Sequence, residues 1–250
     1  MVNSIIICVG IKYSVNEKFF DTWTDGMAYV LGFLFADGSL EDAPYIRGKY
    51  MRVTNTDRDR IELIKKLMRS SHTIVVTKTI GNRKPRHLLR IGSHALYNQL
   101  MRLGVTPRKS FTMLFPTVPK KFLPHFVRGY FDGDGCAHIA RTATGITRLL
   151  TIFTSGSKSF LETLHGHLKS EAGVTGNTLH GHGSTDGAFQ LRYFARDSIR
   201  LFVYMYPKQI PKELLLRRKY DIFTRYFNEV KRSSRRRMSK YIPKGLMVKG

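Results

Sequence analysis

Gly129-Tyr130-Phe131-Asp132-Gly133-Asp134-Gly135 is matched 97 residues upstream by Gly32-Phe33-Leu34-Phe35-Ala36-Asp37-Gly38. Both stretches read glycine, aromatic, apolar, any residue, small, aspartate, glycine. Both follow an apolar lead-in, Met27-Ala28-Tyr29-Val30-Leu31 and His125-Phe126-Val127. A single Asp-Gly pair is an ordinary turn signal, but two copies at a domain-sized separation point to an internal repeat. On a helix, Gly32 and Ala36 share one face, as do Gly129 and Gly133, because each pair is four residues apart. Small-residue faces let two helix backbones come close, so these four residues are the expected helix interface. Gly38 and Gly135 suit the left-handed residue that ends a helix.

The order of elements after each motif also repeats. The first motif leads to strand-like stretches at 45–54 and 72–80 with a helical pattern at 57–68 between them, then a strand at 86–92 and a helix at 94–103. The second leads to strands near 137–141 and 147–154, a helical Phe160-Leu161-Glu162-Thr163-Leu164-His165, strands near 177–182 and 188–194, and a helix at 197–205. In 188–194, Phe189, Leu191 and Tyr193 alternate with Gln190 and Arg192, so one face is core and the other polar and cationic. The exits match too, in Arg108-Lys109 and Arg218-Lys219. The expected fold is α+β: two pseudo-symmetric αββαββα repeats, each with a four-stranded antiparallel sheet. The organisation reads as an N-terminal extension (1–18), a first repeat (19–115), a second repeat (116–230) and a basic tail (231–250).

Side by side at two helix C-termini, Asp37 and Asp134 oppose the helix dipoles and repel each other. A hard divalent cation removes both penalties, and carboxylates with backbone carbonyls and water suit Mg²⁺. Asp132-Gly133-Asp134-Gly135 is not a Ca²⁺ loop, since no glutamate closes twelve residues. An aspartate-based phosphatase leaves the copy at Asp37 unexplained.

The 250 residues hold 42 Lys+Arg against 18 Asp+Glu, a net charge of +24. The excess is +9 over residues 1–109 and +7 over 110–230, with eight more basic residues in the tail. A polyanion, nucleic acid first, is the expected partner. With 42% hydrophobic residues and 16 Phe, 12 Tyr and 1 Trp, the chain can build a core and is no disordered polycation. Cys8 and Cys136 give no disulfide framework and read as buried small residues. Residues 5–9 are too short an apolar run for a signal or a membrane span, so an intracellular protein without a membrane partner is expected.

Val30 to Gly38 and Val127 to Gly135 resemble the paired motifs of LAGLIDADG homing endonucleases, and the likeness runs from about Phe19 to about Phe227. The resemblance implies a monomer whose two sheets form a saddle on double-stranded DNA. It also implies hydrolysis of both strands of a long asymmetric site with Mg²⁺, or Mn²⁺ as substitute. It makes Asp37 and Asp134 the catalytic metal ligands and the carbonyls of Ala36 and Gly133 auxiliary ligands. Lys109 and Lys219 would stabilise phosphate charge or polarise attacking water, and Asn55 and Ser155 would hold water. The sixth motif position departs from symmetry, being Phe35 in one copy and Asp132 in the other; two residues from the motif acid, Asp132 points to another helix face. The rival reading is a binder that does not cut, an intron RNA maturase or a DNA-binding regulator.

Candidates for base or phosphate contact are Arg47, Lys49, Lys78, Arg90, Arg141, Arg148, Gln190 and Arg192. Two His-Gly-His segments invite a metal reading. In the first, His165 and His167 face apart on a helix; in the second, His180 and His182 share a strand face toward DNA.

Overall fold

A computed structural model describes residues 13–77, 81, 84–141, 147–176, 178–181, 187–207 and 210–232. Cys8, Lys78, His182 and the tail beyond Arg232 therefore lie outside the described residues. The chain runs α1 (Asp25–Asp37), β1 (Gly38–Ala43), β2 (Gly48–Asn55), α2 (Arg58–Leu67), β3 (Ile74–Thr77), β4 (Arg86–Gly92) and α3 (His94–Arg102). The order then recurs as α4 (Leu123–Asp134), β5 (Gly135–Arg141), β6 (Thr147–Ser155), α5 (Lys158–Ala172), β7 (Thr178–Gly181), β8 (Phe189–Tyr193) and α6 (Ala195–Met205). A last helix, α7 (Arg217–Arg232), follows. Each half holds one four-stranded antiparallel sheet, ordered β1-β2-β4-β3 and β5-β6-β8-β7. This is the α+β duplication read from the sequence.

The first motif helix is apolar on all sides, and every residue from Met27 to Phe35 is buried. A helix buried all round belongs between layers rather than on a surface. Thr24 starts it, its Oγ1 accepting from the Met27 amide at 3.0 Å. Its most extensive packing is against α4. A Cβ on Gly32 would stand 2.0 Å from the Phe126 carbonyl oxygen, and one on Gly129 would stand 2.0 Å from that of Tyr29. The two helices cross backbone against backbone, as the glycine faces require. Near their ends a Cβ on Gly133 would meet that of Ala36 at 2.3 Å, so all four small residues lie in the crossing.

Gly38 and Gly135 correct the sequence reading. Neither is left-handed: both are extended, at φ −91°, ψ 156° and φ −90°, ψ 161°. Each enters its strand with no loop after the motif aspartate. Glycine is required by space, since a Cβ would stand 2.5 Å from Leu34 O or Phe131 O. Residues 45–54 are not one strand. A hairpin with a 3₁₀ turn at Pro44–Ile46 separates β1 from β2. Gly38-Ser39-Leu40-Glu41-Asp42-Ala43 is poor in β-formers, and β1 is held by its pairing with β2 and by buried Leu40. The helix expected at 160–165 is 15 residues long and runs through Gly166. The exits also diverge: Lys109 opens a 3₁₀ turn, whereas Lys219 lies in the first turn of α7.

Candidate metal and nucleic-acid site

Because α1 and α4 cross along their length, their C-terminal ends meet, and with them Asp37 and Asp134. Both are half-buried. The Asp37 Oδ2 atom lies 3.1 Å from where a Gly133 Cβ would be, so glycine leaves room for it beside α4. Burial raises the Asp37 pKa, while a hydrogen bond from Asn55 and the charges of Lys219 and Lys109 pull it back. Asp134 is pushed up to about 6, by burial and then by Asp37, against the attraction of Lys109 and Lys219. In each carboxyl the fold disfavours the charged form, and Asp134 also feels the charge of Asp37.

Lys109 and Lys219 are not solvated lysines; they are 5% and 3% exposed. Lys219 Nζ donates to the carbonyls of Phe131 (2.5 Å), Asp132 (2.8 Å), Gly133 (3.4 Å) and Gly135 (2.6 Å). It gathers carbonyls at the α4–β5 junction, where the Gly135 amide also donates to Phe131 O. Burial brings its pKa down to about 8. Lys109 Nζ reaches the Ala36 carbonyl at 3.5 Å, and burial lowers its pKa as well. Asn55, at the end of β2, donates from Nδ2 to Asp37 Oδ2 at 2.6 Å. Ser155, its counterpart on β6, accepts from the Ser157 amide at 3.0 Å instead. Among the described residues no side chain donates a hydrogen bond to Asp134.

Asp132 points away from this group, as its offset from Asp134 implied. It is fully buried between the motif helices and accepts from the Tyr29 hydroxyl at 2.8 Å. Burial pushes its pKa up to about 6. Arg60 Nη1 reaches the same hydroxyl at 3.4 Å, and the Arg128 guanidinium lies 5.3 Å from the Tyr29 ring centre. This buried network was not legible in the sequence, because its members come from three helices.

Helices cover one face of each sheet; side-chain alternation decides which residues stay on the other. In β2 Met51 and Val53 turn inward, leaving Tyr50, Arg52 and Thr54 on the open face. In β4 His87, Leu89 and Ile91 are buried, leaving Arg86, Leu88 and Arg90. Arg90 pairs with Glu41 at 2.9 Å and stacks 3.3 Å from the Tyr50 ring centre. Arg52 stands opposite Arg90 in register, so Arg52 and Arg86 were findable from their parity with Arg90. In the second sheet Arg148, Gln190 and Arg192 share the open face, Arg192 Nη2 donating to Gln190 Oε1 at 2.6 Å. Arg47 is exposed at the β1–β2 turn.

Two candidates fall on the covered side. Lys49 has the parity of Met51 and lies 4.8 Å from the Tyr97 ring centre of α3. Arg141 has the parity of Ala137 and Ile139 and faces Glu229 of α7 at 4.0 Å. Cys136 is exposed on the open face of β5, not buried, because it alternates with buried Ala137 in a strand that begins at Gly135. His165 Nδ1 meets the Tyr193 hydroxyl at 2.9 Å and the His167 ring stacks 4.8 Å from that of Phe115, so the pair serves two separate contacts. His180 is exposed on the open face of β7. No group of three or more His, Cys, Asp or Glu suited to a metal occurs among the described residues, nor any helix long and apolar enough to cross a membrane.

A family model described as a LAGLIDADG-like domain matches residues 122–204. No curated protein matches the chain. Among solved structures the chain is similar to the homing endonuclease I-WcaI bound to its DNA recognition sequence, at 13% identity and TM-score 0.55, covering 82% of this chain and 91% of that one. It is also similar to the LAGLIDADG homing endonuclease I-LtrWI bound to target DNA, at 14% identity and TM-score 0.51, covering 91% and 96%. I-DmoI in complex with DNA and Mn is similar at 20% identity and TM-score 0.51, covering 75% and 98%. Residues 122–204 match a LAGLIDADG-like domain, and the chain shares the fold of these homing endonuclease structures.

Proposed function

We propose that this protein is a sequence-specific endonuclease that, as a monomer, hydrolyses both strands of a long asymmetric double-stranded DNA site with a divalent cation, Mg²⁺ or Mn²⁺. One observation carries the reading. Two ionisable aspartates from separate repeats are brought together in a half-buried setting that disfavours their charge, and two buried lysines flank them. Such an arrangement costs stability and is explained by a cation and a polyanion.

The donor set fits a hard cation. Two carboxylates supply charge, and the carbonyls of Ala36 and Gly133 each already lie near an ammonium, at 3.5 Å and 3.4 Å. Few protein ligands leave room for water and phosphate oxygens, as Mg²⁺ prefers. When bound, the cation neutralises phosphate charge and acidifies coordinated water.

The chain's own residues do the rest. Arg52, Arg86, Arg90, Arg148 and Arg192 on the open faces hold phosphates and read base edges. Asn55 fixes the orientation of the Asp37 carboxylate. Lys109 and Lys219, held in place by backbone carbonyls, present positive charge to the phosphate as negative charge builds on it.

Incubating the protein with a randomised duplex library and Mg²⁺ tests the reading. Wild type should yield fixed ends, and Asp37→Asn should keep binding while losing double-strand cutting. Binding without ends, or a preference for intron RNA, would make the chain a binder on the same scaffold.

A further inference from the structure

Asp57 occupies the N-cap of α2 yet makes no capping bond, whereas Thr24, Ser93 and Ser157 cap their helices with side-chain oxygens. Its carboxylate is committed elsewhere. Both oxygens accept from Arg218, 161 residues away in the other half: Nε at 3.0 and 2.9 Å, Nη2 at 2.5 Å. Two-pronged arginine–carboxylate pairs are the geometrically demanding kind.

What lies on each side of this pair gives it meaning. The Asp57 amide donates to Asn55 Oδ1 at 2.7 Å. That bond sets the amide orientation, so that Nδ2 faces Asp37 Oδ2 at 2.6 Å. Arg218 is followed by Lys219, whose ammonium holds the end of α4. The circuit therefore runs from Asp37 through Asn55, Asp57, Arg218 and Lys219 to the helix that carries Asp134.

The other half lacks this circuit. The residues equivalent to Asn55, Asp57 and Arg218 are Ser155, Ser157 and Arg108. Ser157 caps α5 and donates from Oγ to the Met113 carbonyl at 2.6 Å. It offers Arg108 no carboxylate. The other ion pair joining α2 to the second half, Lys66–Glu213, is 3.9 Å long and exposed on both sides. Such a pair contributes little.

We infer that Asp57 and Arg218 are positioning residues: by tying α7 to the β2–α2 junction they align Asn55 on Asp37, and so set the cutting rate of one DNA strand separately from the other. The inference rests on the nuclease reading.

Strand-resolved cleavage, with each strand labelled in turn, tests it on wild type, Asp57→Asn, Arg218→Gln and the double variant. Losing a group that orients a metal-ligating side chain typically costs about 10- to 100-fold, so one strand should be cut at least about tenfold more slowly and nicked duplex should accumulate. The second strand should keep its rate, the double variant should equal either single one, and Lys66→Gln should match wild type. Equal slowing of both strands, or additive single effects, would overturn the inference as a merely structural role. Wild-type protein that binds but never cuts would sink the nuclease reading instead. The linkage is then decided by urea unfolding: Arg218→Gln and Asn55→Ala should be non-additive, and additivity would overturn it.

Discussion

Asp37 and Asp134 end equivalent helices, but their surroundings differ in nearly every polar detail. Asp37 has Asn55 donating to it at 2.6 Å, while the equivalent Ser155 accepts from the Ser157 amide and donates nothing to Asp134 among the described residues. Lys219 caps four carbonyls and Lys109 approaches one. Phe35 packs among aromatics where Asp132 binds Tyr29. The apolar frame, by contrast, is shared: Gly32 and Gly129 make mirror-image contacts at 2.0 Å. Duplication has kept what close packing demands of both copies. Polar groups answer only to their own half, and they have diverged.

The largest effect should come where the halves agree. Gly32→Ala and Gly129→Ala each force a methyl into a carbonyl of the partner helix, with backbone on both sides and no flexible side chain to yield. Each should destabilise by at least about 4 kcal/mol, and by similar amounts, in chemical denaturation. A large inequality between them would break the packing symmetry.

The lysines should separate the halves. Lys219→Met takes the ammonium from three close carbonyls at the α4–β5 junction, of which Phe131 O keeps another donor, the Gly135 amide, a loss of about 2 kcal/mol. Lys109→Met removes a single contact at 3.5 Å and relieves a buried charge, so its stability should stay within about 0.5 kcal/mol of wild type. Urea titration of the two variants measures this directly. Equal losses would mean that Lys109 holds its helix end as Lys219 does.

The aspartates separate them by sign. A carboxyl whose pKa is raised in the fold loses stability as pH rises through its unfolded value, and the loss is complete above its folded value. For Asp134 that window runs from the usual 3.8 to about 6. At pH 7 without metal, Asp134→Asn should therefore stabilise by about 2 kcal/mol, discounted for partial exposure. Asp37→Asn should gain less, since Asn55 already supports its charge. Mg²⁺ should raise the melting temperature of wild type more than that of either variant. Equal shifts would argue against a cation between the two acids.

How much of this was legible follows from the range of the forces involved. The motif glycines, the aspartates and the strand alternation are local patterns, and from them came the duplicated fold and the crossing of α1 and α4. Residue type misled at Cys136: a small apolar residue was expected inside, but its place beside buried Ala137 in β5 turns it to the open face. Lys49 and Arg141 failed because basic character does not fix a side; only register does. The β1 strand failed because its residues have little intrinsic preference for it and pairing alone holds it. The Asp57–Arg218 pair joins residues 161 positions apart, and no periodicity reports such a contact.

The smallest expected effect lies at the other end of the motif helices, four residues before each crossing glycine. There the first half has buried Ala28 and the second has His125. His125 Nδ1 accepts from Arg128 Nη2 at 3.2 Å, and Nε2 faces Asp25 of α1 at 3.4 Å. Burial lowers the imidazole pKa, Arg128 lowers it further, and Asp25 opposes both. A proton on Nδ1 would remove the acceptor and set two cations together. A histidine with a lowered folded pKa contributes fully above its unfolded value, near 6.5, and its contribution falls as pH drops below that value. Asp132 and Asp134 respond in the opposite sense over the same range, so the whole-protein profile would hide the effect. Comparison with His125→Asn, which keeps an acceptor and cannot titrate, isolates it. As pH falls from about 7.5 to about 5.5 the variant should gain stability relative to wild type in urea unfolding. A difference that does not change with pH would leave the two helix starts equivalent after all, with His125 merely filling space as Ala28 does.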